Sequence, residues 1–529
     1  MEITQDTWTA WEQVLGAEGV VHEQGLLETY EANACGWDHR LAGALRPRST
    51  QEVQAIVRIS IASGATLHAV SCGRNWGYNS RLPTEREGTV LLDLSRMNQV
   101  RNAREISEQH PVAEIEPGVT QGQLADLLRS QQLPLLFNAT GAGPATSLLG
   151  NSLERGVGYF GLRTHDLSDL EVVLGTGEIL RTGSATLSPK AKTRLHYPHG
   201  LGPSLDGLFF QSSLGVVTSA AFRLIPRRSC HVTLIAKLNA ETKFDQFIDS
   251  LAHLRRQGLI ESVLHIGSPN RVRVTLSPLV YRSLVSQGRE PSPRLRQEVE
   301  ALVDQQFQET WTAVGPVFGT EAQVAAARDA IDSLLADIAQ VTWITEADLQ
   351  QSEGLARTMT EPLADLCHGQ PTDGALDSPH WSLDKDLPAD PATLDHTDTG
   401  IRFCSPALPL DSEVITWAIA KQREILAHDG LEPYLTLNLI DDRSALLITN
   451  LVFDKSVGGA QARADSAVQA VLEAWAKEGV FPYRLGLHES QKFTIDPIHA
   501  ACLNGLKHVF NPHNVFSTSR YDIPSENQD

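Results

Sequence analysis

The sequence predicts an α+β protein built in two main parts. In the first part, helices, strands and glycine-punctuated loops follow one another over short distances, and after Arg228 the strands and helices become longer. The chain has 529 residues, 41% of them hydrophobic and 20% charged, which is an ordinary composition for a globular protein. At roughly 150 residues per domain, this length suffices for two to four domains and a large core. We therefore expect a protein of enzyme size.

The first part begins with a helix-strand-loop-strand unit. Residues 51–64 carry apolar side chains at helical spacing and end at a glycine. A short strand over 66–70 leads into the loop SCGRNWGYNS, and another strand follows over 89–94. The segment EIEPGVT and the helical QGQLADLLRSQQL repeat the strand-to-helix order. Residues 170–183 predict a β-hairpin, because two β-prone runs flank Gly-Thr-Gly.

The second part contains longer elements. Its pattern predicts strands over 231–238, 271–277, 434–440 and 445–453, and helices over 244–258 and 412–429. Residues 366–399 are rich in Asp, Pro and His and predict a long loop. Asp441-Asp442-Arg443 is predicted to form a turn between the last two strands. The sequence shows no internal repeat.

Composition excludes several classes of protein. Lys and Arg number 44 against 64 Asp and Glu, a formal net charge of -20, and no basic run marks a nucleic-acid site. The six cysteines lack a C-x-x-C pair, which argues against a zinc site or a disulfide framework and favours a reducing cytoplasm. The N-terminus has no signal-peptide pattern, and no apolar run reaches the ~20 residues of a membrane span. We expect a cytoplasmic protein without membrane or nucleic-acid partners.

Metal and hydrolase sites are not indicated. His196 and His199 are separated by a proline, which prevents a helical metal-binding pair, and no carboxylate motif follows them. The sequence also lacks the G-x-S-x-G and H-E-x-x-H signatures. We therefore predict no metal site.

Two glycine-rich loops are candidate phosphate cradles. Gly156, Gly158 and Gly161 satisfy G-x-G-x-x-G, but the strand and helix that frame such a loop in a Rossmann fold are missing, so an NAD(P) dehydrogenase is disfavoured. Residues 71–78 lie between two predicted strands. Their consecutive backbone N-H groups could surround an anion, and their glycines would permit close approach to a pyrophosphate.

This loop belongs to a longer series of motifs. The segments VSCGRNWGYNSRLP, EIEPGVTQGQLADLL, TGAGPATSLLGNSLERGVGY, LEVVLGTGEILRTG and GPSLDGLFFQSSLGVVT occur in this order, and PTDGAL, GIRFCSPALPL, FPYRLGL and FNPHNVFS follow. In wording and spacing they resemble the vanillyl-alcohol oxidase and p-cresol methylhydroxylase flavoproteins over nearly the whole chain. The resemblance includes a branch of natural-product oxidative decarboxylases of the chondrochloren type.

The resemblance implies an FAD-binding domain of the p-cresol methylhydroxylase type and a cap domain with a central antiparallel sheet. Residues 1–227 and 481–529 would form the first, and 228–480 the second. The positions that match the family's FAD-contacting segments are Ser71, Cys72, Gly73, Arg74, Asn75, Trp76, Gly77, Pro117, Gly141, Gly143, Ser147, Gly150, Asn151, Glu154, Arg155, Gly158, Gly215, Val216 and Val217.

The resemblance also implies a phenol-binding site. In the phenol-oxidising members, two tyrosines and an arginine hold the substrate as a phenolate, and the matching positions here are Tyr78, Tyr483 and Arg484. An arginine and two O-H donors favour ionisation of a phenol, whose reference pKa is about 10. The phenolate would then release a benzylic hydride to flavin N5 and leave a para-quinone methide.

One position departs from the family pattern. The acidic residue that serves the alcohol oxidase as a base is replaced by Ala142, counted back from Gly150-Asn151. Without that base, addition of water to the quinone methide loses about 10²- to 10⁴-fold. For an N-acyl-tyrosine-like acid, loss of CO₂ instead gives a hydroxystyryl amide without water or base. Oxidative decarboxylation is thus the preferred prediction, and a 4-alkylphenol or aryl-alcohol oxidase or hydroxylase is the alternative.

The remaining expectations concern the cofactor and its partners. The position of the flavin-linking histidine of the alcohol oxidase is filled by Ile401, and Cys404 is more simply a buried apolar residue, so we expect dissociable FAD. Arg402, Arg443 and His165 are equal candidates for binding a substrate carboxylate. O₂ or another acceptor would reoxidise the flavin, and a homodimer is expected by analogy. A flavin binder that has lost its chemistry is the remaining alternative.

Overall fold

The computed structural model describes residues 3–79, 81–487 and 489–524. Its helices are α1 (Gln5–Leu15), α2 (Gln24–Glu31), α3 (Thr50–Ser63), α4 (Gln121–Ser130), α5 (Leu148–Leu153), α6 (Phe244–Arg256), α7 (Pro269–Ser286), α8 (Pro293–Phe307), α9 (Glu321–Leu335), α10 (Glu346–Gln351), α11 (Gly354–Cys367), α12 (Ser378–Ser382), α13 (Ser412–His428), α14 (Ala460–Ala476) and α15 (Pro497–Phe510). Its strands are β1 (Val20–Val21), β2 (Gly43–Leu45), β3 (Leu67–Val70), β4 (Val90–Asp93), β5 (Val112–Ile115), β6 (Leu135–Leu136), β7 (Val157–Gly158), β8 (Gly161–Leu162), β9 (Leu167–Leu174), β10 (Ile179–Arg181), β11 (Gly215–Arg223), β12 (Ile225–Pro226), β13 (Cys230–Leu238), β14 (Leu264–Gly267), β15 (Thr312–Gly319), β16 (Ala339–Ile344), β17 (Thr399–Cys404), β18 (Ala407–Pro409), β19 (Tyr434–Leu439) and β20 (Ser444–Asp454).

Two four-stranded sheets occupy the first part of the chain. The order β1-β2-β4-β3 includes the parallel pairs β2/β4 and β3/β4, and the order β10-β9-β11-β5 is antiparallel. Helix α3 covers the first sheet and has the predicted ends, because Ser49 accepts a hydrogen bond from Glu52 N and Gly64 adopts φ 74°. The predicted hairpin is β9-β10, with Gly177 at φ 78° in its turn.

The third sheet is formed by residues 230–454. Its order is β16-β13-β15-β14-β19-β20-β17, and β18 also pairs with β20. All of its pairs are antiparallel, so side chains alternate between its two faces. One face packs against α6, α9, α13 and α14, where Leu437 and Leu447 are fully buried in a large apolar core. Thr436 and Ile448 point to the opposite face, which leaves room for a cavity.

Two predicted elements differ in the structure. Residues 271–277 lie in helix α7 and not in a strand, because Pro269 at the first helical position starts a helix of 18 residues that overrides their local alternation. Residues 366–399 are not one long loop, since α11 ends within them, α12 crosses them and β17 begins at Thr399. The other elements predicted in the second part are confirmed within a few residues, and with them the α+β class.

The chain returns to the first sheet near its end. Leu67 N donates to Val515 O at 2.7 Å, and Ser517 N donates to Leu67 O at 2.9 Å. Late residues thus extend the edge of a sheet made near the N-terminus. The domain boundaries at residues 227 and 480 stay a prediction. No helix in the described ranges is long and apolar enough to cross a membrane.

Candidate active site

One cavity is lined by the first part of the chain and by residues 516–521 near its end, and an adjoining cavity lies between the first part and the third sheet. They measure about 1300 and 1700 Å³ including the open solvent at their mouths, and Arg74, Asn75 and Asn151 line both. Because these three residues belong to both linings, the two cavities are contiguous. We call them the cofactor cavity and the substrate cavity.

The cofactor cavity is built around the loop that follows β3. Gly73 adopts φ 66°, a conformation that favours glycine. Within the described part of the chain, no group accepts a hydrogen bond from the backbone N-H groups of Gly73, Arg74 and Asn75. Three free N-H groups in consecutive residues form an anion nest, so the loop fits a pyrophosphate.

A short helix forms the neighbouring wall of this cavity. Ser147 caps α5 by accepting from Gly150 N at 2.9 Å, and it donates to Pro117 O at 2.6 Å. A side chain at Gly150 would come within 2.7 Å of Ser71 Oγ. The glycine therefore allows α5 to pack directly on the loop that follows β3.

The C-terminal segment completes the cofactor cavity. Residues 517–521 line it, and Arg520 pairs with Glu154 at 2.6 Å while the Tyr521 hydroxyl donates to Glu154 at 2.8 Å. Arg520 and Arg484 hold the pKa of Glu154 below its usual value despite its burial. A buried ion pair thus ties the end of the chain to the cavity wall.

The predicted FAD contacts fall into three groups. Those lining the cofactor cavity are Ser71, Cys72, Gly73, Arg74, Asn75, Ser147, Gly150, Asn151, Glu154, Gly215, Val216 and Val217. Those lining the substrate cavity without reaching the first are Trp76 and Gly141. Those outside the lining of both are Gly77, Pro117, Gly143, Arg155 and Gly158. The last group shapes the backbone: a side chain at Gly77 would collide with the Phe403 ring at 2.4 Å.

The substrate cavity brings together Tyr78, Tyr483 and Arg484. The guanidinium carbon of Arg484 lies 5.6 Å from the centre of the Tyr78 ring and 5.4 Å from that of Tyr483. Tyr483 is held by its backbone, because its N-H donates to Ser405 O at 3.1 Å and its carbonyl accepts from Gln211 at 3.0 Å. The three predicted residues therefore form one cluster.

The polar atoms of this cluster are buried and available. The Tyr78 hydroxyl and Arg484 Nε have no hydrogen-bond partner among the described residues, although Tyr78 is 2% and Arg484 7% exposed. Burial raises the pKa of Tyr78 well above its usual value, so this phenol stays a proton donor. Burial opposes the charge of Arg484, but Tyr483, Tyr78 and Glu154 outweigh it and raise its pKa. The cluster can stabilise an oxyanion.

No Asp or Glu of the described residues lines the substrate cavity. Ala142 lines it at the position predicted to lack the base. Among the described residues that line this cavity, His265 is the one histidine, and burial lowers its pKa to about 4, so it is a weak base at neutral pH. Ile401 also lines this cavity, whereas Cys404 is 3% exposed in the core of the third sheet.

The three carboxylate candidates from the sequence lie outside both cavities. Arg402 pairs with Asp465 at 2.6 Å and stacks 4.3 Å above the Trp37 ring. Arg443 is 82% exposed in the predicted turn, and His165 is exposed. Arg402 is therefore already paired, and Arg443 and His165 lie away from the cavity linings.

Several lining residues were missed by the sequence reasoning. They are Tyr159, His265, Arg271, Asn438 and Asn450. The alternation in YLTLNLI was a usable signal, since its leucines face the core and Thr436 and Asn438 face the cavity. Arg271 was hidden because its segment was assigned to a strand.

Comparison with known proteins shows which flavoproteins the chain is similar to. A model of the FAD binding domain matches residues 41–183. The chain is 28% identical to 1'-carboxy-chondrochloren decarboxylase of Chondromyces crocatus, over 98% of this chain and 97% of that protein. It is 24% identical to the flavoprotein subunit of 4-cresol dehydrogenase (hydroxylating) of Pseudomonas putida, over 97% and 94%. The crystal structure of p-cresol methylhydroxylase with bound substrate has the same fold, with a TM-score of 0.84, 22% identity and coverage of 100% and 99%. The chain therefore contains an FAD-binding domain, is an FAD-linked oxidoreductase, and is similar over nearly its whole length to flavoproteins of the p-cresol methylhydroxylase type.

Proposed function

We propose that this enzyme oxidises a para-hydroxyphenyl substrate bound as its phenolate. The observation that carries the proposal is the cluster of Arg484 with Tyr78 and Tyr483, two phenol rings within 5.6 Å of one buried guanidinium. A permanent cation and O-H donors in a water-poor site lower the free energy of an oxyanion. Two relatives whose names specify cresol support the same substrate class.

We propose that the cofactor cavity holds FAD without a covalent bond. The free N-H groups of Gly73, Arg74 and Asn75 would bind the pyrophosphate, and the walls formed by Ser147–Asn151 and Gly215–Val217 would enclose the rest. When bound, FAD supplies a two-electron acceptor that takes up a hydride. Burial raises the pKa of Cys72 to about 12, so the thiol in this cavity is a poor nucleophile.

The residues of the substrate cavity would prepare the substrate for hydride loss. Ionisation of the phenol, favoured by Arg484, pushes electron density toward the para substituent. Loss of a hydride from the benzylic carbon then converts the phenolate into a para-quinone methide. The apolar lining, including Leu276, Phe307 and Val314, would keep water away from this electrophile.

We propose that the quinone methide is resolved by decarboxylation. In an N-acyl-tyrosine-like acid, the bond between Cα and the carboxylate breaks and CO₂ leaves. Its electron pair forms the Cα-Cβ double bond, and the ring regains its phenolate. The net products are a hydroxystyryl amide, CO₂ and two electrons delivered to the flavin as hydride. The lining without Asp or Glu in the described residues, with Ala142 at the base position, supports this outcome over addition of water.

The second candidate is a 4-alkylphenol or aryl-alcohol oxidase or hydroxylase. It is favoured by similarity to 4-cresol dehydrogenase (hydroxylating) and by His265, the one lining histidine in the described ranges. In that reaction, water adds to the quinone methide and its oxygen appears in the product. A histidine with a pKa of about 4 gives such a step little general-base assistance at neutral pH.

Anaerobic mixing tests the phenolate mechanism. We expect N-acetyltyrosine to bleach the visible absorbance of the oxidised flavin in a stopped-flow instrument, and its O-methyl ether to leave the absorbance unchanged. Equal bleaching by both compounds would contradict phenolate activation. Denaturation of the enzyme should release yellow FAD into the supernatant, whereas fluorescence that stays with the chain on a denaturing gel would contradict non-covalent binding.

A further inference from the structure

Arg271 is a charged side chain of the substrate cavity that the phenolate mechanism does not use. It lines this cavity, and no carboxylate in the described ranges lies within ion-pair distance of its guanidinium. The titratable groups nearest to it are the phenols of Tyr159 and Tyr434, whose pKa values burial raises, so both are neutral at neutral pH. Burial lowers its pKa to about 10, so it remains cationic at neutral pH. An arginine held in an apolar lining without a counter-charge is costly unless a ligand supplies one.

The position of Arg271 in its helix also favours an anionic ligand. It is the third residue of α7, whose first turn carries the positive end of the helix dipole. A cation is disfavoured there, whereas an anion is favoured. The helix and the side chain therefore present positive charge to the same part of the cavity.

Two further side chains that line the same cavity offer polar atoms. Asn438 is 4% exposed, and its Oδ1 has no hydrogen-bond partner among the described residues. His265, directly opposite Asn438 in the pairing of β14 with β19, also has an unpartnered Nε2 in this part of the chain. Tyr159 stacks on His265 with ring centres 4.0 Å apart and joins it to Arg271. Buried polar atoms of this kind are normally satisfied, so they indicate a polar ligand.

The third sheet sets the distance between Arg271 and the cluster of Tyr78, Tyr483 and Arg484. Tyr78 packs against Phe403 of β17 at 5.1 Å, and Arg271 follows the end of β14 by four residues. Three neighbouring strand pairs, β17/β20, β20/β19 and β19/β14, separate the two places. At about 4.8 Å per pair this is roughly 14 Å across the sheet. This distance suits a substrate with a phenol at one end and an acidic group at the other, because the long side chain of Arg271 spans part of it.

We propose that Arg271 binds the carboxylate of the substrate, while Asn438 Oδ1 accepts a hydrogen bond from the neighbouring amide N-H, and that Arg271 so selects phenolic amino-acid derivatives over simple alkylphenols. This inference rests on the proposed function and names a specificity residue for it. Arg74, the other arginine of this lining, donates to the backbone carbonyl of Ala392 and also borders the cofactor cavity. Arg271 is thus the cation that remains for the acid.

The test compares two ligands that differ only in the carboxylate. N-acetyltyrosine and N-acetyltyramine are titrated by calorimetry into holoenzyme whose flavin has been reduced anaerobically, so that neither ligand is consumed. We expect the wild-type enzyme to bind the acid about 10- to 100-fold more tightly, as a charge-assisted contact predicts. Arg271→Met should abolish this preference while changing the Kd of the tyramine less than about threefold, and Arg271→Lys should keep part of it. Arg443→Met, in the exposed turn, is the matched control and should retain the full preference.

The possible outcomes separate this inference from the function on which it rests. Equal binding of both ligands by the wild-type enzyme overturns the role of Arg271 without any variant, as does a preference that survives Arg271→Met. If Arg271→Met does not fold, the role of Arg271 is judged from the preference of the wild-type enzyme for N-acetyltyrosine and from the part of it that Arg271→Lys keeps. A preference that depends on Arg271, found in an enzyme that releases no CO₂ from the acid, supports the carboxylate site and overturns decarboxylation.

Discussion

The guanidinium carbon of Arg484 lies 5.6 Å from the centre of the Tyr78 ring, although the two residues come from opposite ends of the chain. Tyr78 ends the loop after β3, and Arg484 follows the third sheet. The contact therefore exists only when the last segment of the chain has returned to the first part. It brings together the groups of the proposed oxyanion site.

Removal of the positive charge should slow the oxidation itself. We expect Arg484→Met to lower the rate of flavin reduction by N-acetyltyrosine about 100- to 1000-fold, because one preorganised oxyanion contact is lost. Arg484→Lys retains a positive charge, so its rate of flavin reduction should lie between those of Arg484→Met and the wild type. Stopped-flow absorbance measures the rate. A reduction rate within threefold of wild type in Arg484→Met would show that the phenolate is stabilised elsewhere.

Restoring a carboxylate should restore addition of water. We expect Ala142→Asp to raise the formation of hydroxylated product from 4-ethylphenol at least tenfold, since a general base contributes about 10²- to 10⁴-fold when well placed. Mass spectrometry of the product formed in ¹⁸O-labelled water measures it. Ala142→Asn has the same shape without the ionisable group and serves as the control. Equal ¹⁸O incorporation in the two variants would mean that the missing base does not determine the product.

The C-terminal ion pair should support both folding and FAD binding. Arg520→Met removes the ion-pair partner of the Glu154 carboxylate, whose side chain is 23% exposed and keeps the hydrogen bond from Tyr521, and we expect this to cost about 1.5–3 kcal/mol. We expect a lower Tm and at least tenfold weaker FAD binding, measured by fluorescence of released flavin. Lys507→Met breaks the more exposed pair with Asp522 in the same segment and should cost ~1 kcal/mol or less. Equal losses in both variants would contradict a specific role for the Glu154-Arg520 pair.

Acid should destabilise the third sheet through His231. Burial, and then the neighbouring His368, lower the pKa of His231 to about 3, below its ordinary 6.5. The unfolded chain therefore binds a proton first, so the stability that this group contributes is complete above pH 6.5 and is lost as the pH falls toward 3. Between pH 7 and 5 the expected loss is about 2 kcal/mol.

His231→Gln isolates this contribution. The amide can still donate to the Cys367 carbonyl, which the His231 ring contacts at 2.9 Å, but it does not titrate. We expect the free energy of unfolding of the variant, from denaturant titrations, to fall less between pH 7 and 5 than that of the wild type. Parallel curves for the two proteins would exclude His231 as a source of acid sensitivity.

The predictable features of this fold were mostly local. Helix α3 is defined by apolar spacing, a serine cap and a glycine end, and the β9-β10 hairpin by its Gly-Thr-Gly turn, so neighbouring residues suffice. Local patterns did not suffice for Tyr78, Tyr483 and Arg484, because only the family resemblance indicated that positions so far apart in sequence share one site. Alternation at 271–277 misled because tertiary packing and a proline start made it helical.

The rest of the site depends on strand register, which local patterns do not determine. His265 meets Asn438 because β14 pairs with β19, and Asn450 lies opposite Phe403 because β20 pairs with β17. A shift of one residue would turn each side chain to the other face of the sheet. The alternation in each strand indicated two faces, but it did not show which polar residues would share a cavity.

Oxidation of N-acetyltyrosine labelled with ¹³C in its carboxyl group, carried out in ¹⁸O-labelled water, distinguishes decarboxylation from addition of water. We expect one ¹³CO₂ for each flavin reduced and a hydroxystyryl amide without ¹⁸O, because the quinone methide loses its carboxylate and gains no water. A product that contains ¹⁸O and retains its ¹³C-carboxyl group would contradict decarboxylation.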